Sequence, residues 1–338
     1  MDRLPRDLDD IRRKWVPDPR LGVFDVSPAP GGGAGGGVIR GATTSRDALE
    51  ALRRLAATAG LAPEINLLPG RAVGSDVAAI VTAALAPLLV EPQLSAPRAS
   101  EALHGEVLEV LDRREAWLRV RARDGYIAWL HGGYAATGTA EWAADWEERA
   151  TARSVSAEIQ TADGVRRRLP TGARLASRKG GVELSDGVLG AVSGGAVRPE
   201  HELRAEARFL AAPELARKWY GGAPYLWGGR TEWGIDCSGL VQSVCAARGV
   251  SLPRDSDQQF AEGREVAMSP EGVGYEGGDL LFFAESGRVS HVAFWAGAGR
   301  IVHSAVSRGG VGDDHLFGDA PRMARLRDML VGVRRILH

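Results

Sequence analysis

The stretch from Tyr225 to Leu240, YLWGGRTEWGIDCSGL, constrains the chain most, because it sets one cysteine in a glycine-rich turn that opens a helix. The sequence that follows, CSGLVQSVCAARG, has apolar residues at helical spacing and a capping glycine at Gly249. Cys237 is therefore predicted on the first helical turn, where free backbone N–H groups and the helix dipole favour a thiolate. We expect its pKa to fall from about 8.5 toward neutrality, which favours a nucleophile over inert packing.

Two histidines follow downstream, in the segment GRVSHVAFWAGAGRIVHSA. Residues 292–296 and 300–305 are typical of short strands, and the GAG connector between them suits a three-residue hairpin loop. In that register position 303 opposes position 293, so His303 shares a face with His291. One imidazole can take the thiol proton while the second group fixes its orientation, which favours a catalytic pair over two polar residues on a half-buried sheet.

Six motifs occur in order within residues 203–338: YLWGG, GIDCSGL, LPRDS, GDLLFF, SHVAFWAG and IVHS. This region resembles the catalytic domain of the NlpC family of bacterial peptidoglycan cysteine peptidases, which has a reduced papain-like fold. The resemblance implies that Cys237 is the nucleophile, His291 the general base and His303 the orienting third residue. It also implies cleavage between γ-D-glutamate and the following diamino acid, diaminopimelate or lysine, of a murein stem peptide.

Three smaller units are predicted upstream. Residues 1–84 indicate a small α+β unit of unknown role, and the apolar run from Val77 to Val90 is interpreted as a buried helix. Residues 85–137 and 151–200 resemble bacterial SH3-like barrels, joined by a helical EWAADWEERATA linker. The predicted fold class is thus α+β, with a papain-like NlpC catalytic domain preceded by two small SH3-like β-barrels and the α+β unit. The glycine run Gly31 to Gly37 lacks the Lys and Ser/Thr of a phosphate-binding loop, so it does not predict nucleotide binding.

The resemblance further implies that the first barrel packs against the active site, so that only a stem peptide with a free N-terminal L-alanine fits. Asp255, in LPRDS, would pair with the ammonium of that alanine, and Tyr126 of the barrel would reach over the same pocket. An acidic barrel residue is expected beside them; Glu91 and Glu106 are both open, with Glu106 preferred. The other residues implied at the cleft are Ser256, Tyr225, Trp227, Ser238 and Asp236, the last with a helix N-cap as an equal alternative.

Composition narrows the class of protein. The chain has 338 residues with 42 basic against 43 acidic side chains, so no global charge favours a nucleic acid or an anionic membrane. Its seven histidines form no HExxH motif or Cys/His cluster with zinc spacing, and neither a metal nor a cofactor is expected. The two cysteines lie eight residues apart on one predicted helix, beyond disulfide reach, and Cys245 is interpreted as core packing.

The N-terminal sequence MDRLPRDLDDIRRKW has no apolar core of a signal peptide, and the longest apolar run is shorter than a membrane span. We therefore expect a cytoplasmic enzyme that acts on stem peptides taken back into the cell, in murein recycling. One alternative is an exported peptidoglycan hydrolase whose barrels anchor it to the wall. The other is a non-catalytic protein that binds wall fragments, which the filled catalytic positions disfavour.

Overall fold

A computed structural model describes residues 3–31 and 37–337. The architecture is α+β, with the papain-like unit at the C-terminal end and small β-barrels before it, so the predicted fold class is confirmed. Residues 32–36, most of the predicted glycine run Gly31 to Gly37, lie outside the described part of the chain. Among the described residues, no helix combines the length and the apolar character needed to cross a membrane.

The N-terminal unit packs helices on one small sheet. Strand β2 pairs with β1 antiparallel and with β3 parallel, and α2 makes the crossover between β2 and β3. Helix α2 begins after Ser45, whose side chain accepts from the Ala48 N–H, and it ends at Gly60 in the left-handed conformation. Its buried face carries Leu52 and Ala56. The elements are α1 Leu4–Trp15, β1 Phe24–Pro30, β2 Gly37–Thr43, α2 Arg46–Ala59 and β3 Ala62–Leu67.

The first barrel is one antiparallel sheet in the order β10-β4-β7-β8-β9-β5-β6. The predicted helix from Val77 to Val90 is wrong, because this run forms β4 and β5 of the barrel. Strand β4 is buried at every position, so it lacks the alternation that would reveal a strand. A domain boundary at residue 84 would separate β4 from its own sheet. The strands are β4 Ala78–Val81, β5 Leu85–Leu89, β6 Arg98–Leu103, β7 Val107–Arg114, β8 Trp117–Arg121, β9 Ile127–His131 and β10 Ala135–Gly138.

A helix and a second barrel follow. Helix α3, Ala140–Arg149, covers most of the predicted linker and is capped by the Thr139 side chain. In the second barrel β11 pairs with β13 and β15, and β14 joins β13 to β15, so these four strands form a closed ring, with β12 paired only to β11. The strands are β11 Ala152–Thr161, β12 Arg166–Leu169, β13 Arg174–Arg178, β14 Gly181–Glu183 and β15 Leu189–Pro199.

The C-terminal unit packs helix α6 against an antiparallel sheet in the order β18-β23-β19-β20-β21-β22. Its main core lies between α5, α6 and this sheet, and it includes Cys245, Phe282 and Phe294. Its elements are α4 Glu200–Phe209, α5 Ala212–Tyr220, β16 Arg230–Thr231, β17 Gly234–Ile235, α6 Cys237–Ala247, α7 Ser256–Gln259, β18 Arg264–Val266, β19 Leu280–Glu285, β20 Arg288–Gly297, β21 Arg300–Ala305, β22 Gly310–His315, α8 Pro321–Asp328 and β23 Leu330–Arg335.

Candidate active site

Cys237 is the first residue of α6, as the sequence predicted. Asp236 is the N-cap, and its carboxylate accepts from the Gly239 N–H at 2.6 Å. The Ser304 hydroxyl of β21 donates to the Ile235 carbonyl at 2.6 Å, so the start of α6 is tied to the sheet. The backbone N–H of Val292, directly after His291 in β20, is near enough to the Cys237 thiol to oppose the rise in its pKa. The thiol therefore faces the strand that carries the first histidine.

The two histidines are hydrogen-bonded to each other across the β20–β21 hairpin. His291 Nε2 lies 2.8 Å from His303 Nδ1, and His303 Nε2 lies 3.1 Å from Asp314 Oδ2 on β22. Phe294 pairs with Val302, the register that sets position 303 opposite position 293, as predicted. The loop itself differs from the prediction, because Gly297 pairs with Arg300 after a register shift and two residues make the turn.

The Asp314 carboxylate sets the tautomers of this chain of groups. A carboxylate only accepts, so His303 donates from Nε2; in its neutral form it then accepts from His291 at Nδ1. The remaining ring nitrogen of His291, Nδ1, is left as a free base. Burial alone would raise the pKa of Asp314, but hydrogen bonds from His303 and Arg322 hold it well below its usual range. The arrangement can therefore accept a thiol proton at His291 Nδ1.

Burial raises the pKa of the Cys237 thiol instead of lowering it, so the predicted fall in its pKa is wrong. Burial raises the pKa of Cys237 to about 12, and the neighbouring Asp236 carboxylate adds to the effect. Burial, and after it the neighbouring His303 ring, lower the pKa of His291 to about 3. Helix position alone predicted a thiolate, but the sequence could not show that the sulfur is enclosed. The resting pair is thiol and neutral imidazole.

The raised pKa of Cys237 gives a prediction for the reactivity of its thiol. Because its pKa is raised, the fraction of thiolate should grow about tenfold per pH unit between pH 6 and 9. We expect the rate of alkylation by iodoacetamide to rise steeply over that range, with Cys237→Ser as the control for labelling of Cys245. A rate that stays constant from pH 6 to 9 would instead indicate a preformed thiolate–imidazolium pair.

Asp236 and Ser238 belong to a buried network centred on Arg254. Arg254 is 1% exposed and donates to Asp236 Oδ2 at 2.7 Å, to Ser238 Oγ at 2.9 Å and to Ser100 Oγ of the first barrel at 3.0 Å. Asp236 also accepts from the Gly228 N–H at 2.8 Å. The N-cap alternative for Asp236 is therefore what the structure shows, and its carboxylate is fully engaged by protein donors.

Tyr126 and Asp255 meet across the interface between the first barrel and the C-terminal unit. The Tyr126 hydroxyl donates to Asp255 Oδ2 at 3.2 Å. The same oxygen accepts from Arg20 Nη1 at 2.9 Å, and Arg20 lies between α1 and β1 of the N-terminal unit. Burial raises the pKa of Asp255, although Arg254 and Arg20 oppose the shift. Three parts of the chain thus converge on one carboxylate.

The two candidates for the acidic barrel residue, Glu106 and Glu91, do not lie beside Asp255 and Tyr126, where one of them was expected. Glu106 accepts from Arg230 Nη1 at 3.1 Å and from the Leu103 N–H at 3.1 Å, and Glu91 is exposed and accepts from the Gln93 side chain. Among the contacts of the described residues, neither carboxylate touches Asp255 or Tyr126. Glu106 instead helps to fix the barrel to the C-terminal unit.

The remaining predicted residues differ in their exposure to solvent. Tyr225 pairs with Ile235 just before the helix, and burial together with the nearby Cys237 raises the pKa of its hydroxyl. Ser256 is buried at the start of α7. Trp227 is 65% exposed, so it presents its ring to solvent. Each stays a predicted contact of a substrate.

The charged residues Arg20, Arg254 and Asp314 of these networks were not found from the sequence. Asp314 had a usable signal, since β22 continues the β20–β21 meander and alternation puts its side chain on the face of His303. Arg20 had none, because 235 positions separate it from Asp255. Among the described residues, no group of three or more His, Cys, Asp or Glu side chains could hold a metal ion.

Two segments of the chain match known protein families. Residues 222–327 match the NlpC/P60 family, and residues 88–132 match the bacterial dipeptidyl-peptidase SH3 domain. Among solved structures, an NlpC/P60 family protein from Bacillus cereus ATCC 10987 superposes with a TM-score of 0.62 at 21% identity, covering 77% of this chain and 100% of that chain. At that identity the likeness shows the fold alone.

Two curated relatives match about a quarter of the chain. The gamma-D-glutamyl-L-lysine dipeptidyl-peptidase of Bacillus subtilis (strain 168) is 42% identical over 86 residues, which is 25% of this chain and 28% of that protein. Its namesake from Bacillus cereus (strain ATCC 10987 / NRS 248) is 40% identical over 90 residues, 26% of each chain. The matched region thus spans about a quarter of the length of these relatives.

Proposed function

We propose that this chain hydrolyses the bond between γ-D-glutamate and an L-diamino acid in murein stem peptides with a free N-terminal L-alanine. The match of residues 222–327 to the NlpC/P60 family and of residues 88–132 to the bacterial dipeptidyl-peptidase SH3 domain supports this proposal. The observation that carries the proposal is the hydrogen-bonded series His291, His303 and Asp314 beside the Cys237 thiol. The names of the two Bacillus dipeptidyl-peptidases support the choice of bond.

In the proposed mechanism, Cys237 is the nucleophile and His291 the base. The thiol transfers its proton to His291 Nδ1 as the sulfur attacks the γ-carbonyl of D-glutamate, and the Cys237 N–H stabilises the oxyanion. His303 and Asp314 hold the imidazole in orientation and stabilise the charge that it gains. The imidazolium then protonates the amine of the leaving diamino acid. Water activated by the same ring hydrolyses the thioester and restores the thiol.

Asp255 is proposed to recognise the ammonium group of the substrate's L-alanine. Its carboxylate lies at the junction of the barrel and the C-terminal unit, where Tyr126 already donates to one of its oxygens. The barrel is fixed there by the buried Arg254–Ser100 contact and by the Arg230–Glu106 ion pair. We expect a rigid barrel wall beside Asp255 to exclude a chain that is extended beyond the alanine amine.

Such a substrate is a fragment rather than an intact wall peptide, because stem peptides in the wall are joined to sugar through the alanine amine. We therefore propose a role in the recycling of murein peptides, in the cytoplasm. Diaminopimelate and lysine peptides are both candidate substrates.

Acetylation of the alanine amine tests this proposal. Acetylation removes the positive charge and adds bulk, and loss of a buried charge-assisted pair costs about 2–5 kcal/mol. We expect kcat/KM for N-acetyl-L-Ala-γ-D-Glu-diaminopimelate to fall at least about a hundredfold below that of the free peptide.

The control is Asp255→Asn, which keeps the shape of the side chain and removes its charge. This variant should lose activity on the free peptide by a similar factor, with little further loss on the acetylated peptide. Equal cleavage of the two peptides by the unaltered protein, or ready cleavage of intact peptidoglycan, would replace the proposal with that of an exported wall hydrolase.

A further inference from the structure

Arg20 makes an unusually complete set of contacts with carboxylates from two distant parts of the chain. Its Nη1 donates to Asp255 Oδ2 at 2.9 Å and to Asp257 Oδ1 at 2.8 Å. Its Nη2 donates to Asp257 Oδ2 at 2.9 Å and to Asp18 Oδ2 at 2.8 Å, while Nε donates to Asp18 Oδ1 at 2.9 Å. All the N–H groups of the guanidinium are therefore engaged.

The backbone of Arg20 is fixed as well. The Ile127 N–H of the first barrel donates to the Arg20 carbonyl at 2.7 Å, next to Tyr126. Gln258 Nε2 donates to Asp18 Oδ2 at 2.8 Å, so α7 also holds this segment. A substrate ammonium that displaced Arg20 would have to break five charge-assisted hydrogen bonds and could replace at most three of them. Arg20 is therefore a fixed part of the pocket, and a substrate ammonium does not displace it.

The charge of the cluster stays negative with Arg20 in place. Three carboxylates, those of Asp18, Asp255 and Asp257, share the guanidinium of Arg20, and Arg288 adds a second positive charge near Asp257, so one negative charge stays in excess and attracts a cation. A recess of about 420 Å³ opens beside it, with walls that include Asp18, Arg20 and Arg288. An open recess thus adjoins the cluster at Asp18 and Arg20.

We propose that Arg20 is a positioning residue of the amine subsite, the part of the site that receives the substrate ammonium. Arg20 gathers Asp255 and Asp257 into the fixed arrangement of this subsite, and the N-terminal unit completes the site in this way. The inference rests on the proposed function, because it takes Asp255 as the acceptor of that ammonium. Without Arg20, mutual repulsion would drive the carboxylates apart, and Asp255 would lose a partner that keeps it ionised.

The groups that face Asp255 determine the expected pH dependence. Burial raises the pKa of Asp255, and the two arginines beside it lower that pKa. Removal of Arg20 should raise it further, so Asp255 becomes neutral as the pH falls and can no longer pair with an ammonium. The other ionisable groups around this cluster are Asp18, Tyr126, Arg254, Asp257 and, acting on Asp257, Arg288.

The test compares Arg20→Met and Arg20→Lys by kcat and KM on the free and the acetylated tripeptide between pH 5 and 7. The control, Arg40→Met, removes an exposed ion pair with Glu64 in the same unit. For Arg20→Met we expect KM on the free peptide to rise about tenfold, and to rise more at pH 5 than at pH 7, with kcat nearly unchanged. Arg20→Lys should restore part of the affinity and the flatter pH profile, and Arg40→Met should behave as the unaltered protein.

A higher kcat/KM in Arg20→Met would show that Arg20 obstructs the pocket and would overturn the inference, as would an unchanged KM. If Arg20→Met does not fold, Asp18→Asn should still raise KM on the free peptide, because it loosens Arg20 without removing it; an unchanged KM there would contradict the inference. The proposed function fails separately, if the unaltered protein does not distinguish free from acetylated peptide. If the unaltered protein prefers the free peptide and Arg20→Met prefers it by the same factor, the inference alone fails.

Discussion

Replacement of Cys237 by serine should abolish hydrolysis while leaving the fold intact. A serine hydroxyl is a much weaker nucleophile beside a neutral imidazole, so we expect the turnover of the tripeptide to fall by on the order of 10⁴-fold or more. One atom changes at a site that is already buried, and Ser238 follows it on the same helical turn, so the secondary structure should persist. The measurement is the initial rate, with circular dichroism to establish folding.

Cys245→Ala is the matched control for this substitution. Cys245 is buried on the same helix, within the core of the C-terminal unit. It should keep near-normal turnover at some cost in thermal stability, because it leaves only a small cavity. Near-normal activity of Cys237→Ser would refute the proposed nucleophile.

The two histidines should differ in the size of their effects. His291→Ala removes the proton acceptor, so we expect a loss of at least about a thousandfold in kcat. His303→Gln should lose only about tenfold, because an amide can accept from His291 and donate to Asp314, although it cannot carry charge. The measurement is kcat for each variant across pH 5 to 9.

Equal losses in the two variants would show that His303 transfers a proton as well as orienting His291. Full activity of His303→Gln would remove it from the mechanism. Since the pKa of His291 is about 3 and that of Cys237 about 12, neither group should create a limb in the profile of the unaltered protein between pH 5 and 9.

The position of the thiol and the pairing of the histidines could be predicted because both depend on local rules. A cysteine after Asp236 and before Gly239 opens a helix, since the aspartate caps it and the glycine permits close approach of the Gly229 carbonyl. A hairpin with a short glycine loop leaves few registers, and alternation then puts His291 and His303 on one face. Both features can be predicted from residues that lie close together in the sequence.

The features that were missed depend on burial or on long-range contacts. The run from Val77 to Val90 is uniformly apolar because both faces of β4 are covered, which makes a strand look like a buried helix. The pKa of Cys237 depends on enclosure by β20, which no local pattern encodes. Arg20 reaches Asp255 only because the segment before β1 lies along β9 of the first barrel.

The most direct test of the central claim is product identification by mass after incubation with L-Ala-γ-D-Glu-diaminopimelate. The account predicts two products, the dipeptide L-Ala-D-Glu and free diaminopimelate, and predicts neither with Cys237→Ser. Release of L-alanine would contradict it. So would recovery of both the diaminopimelate tripeptide and the corresponding lysine tripeptide uncut after incubation with the folded, unaltered protein.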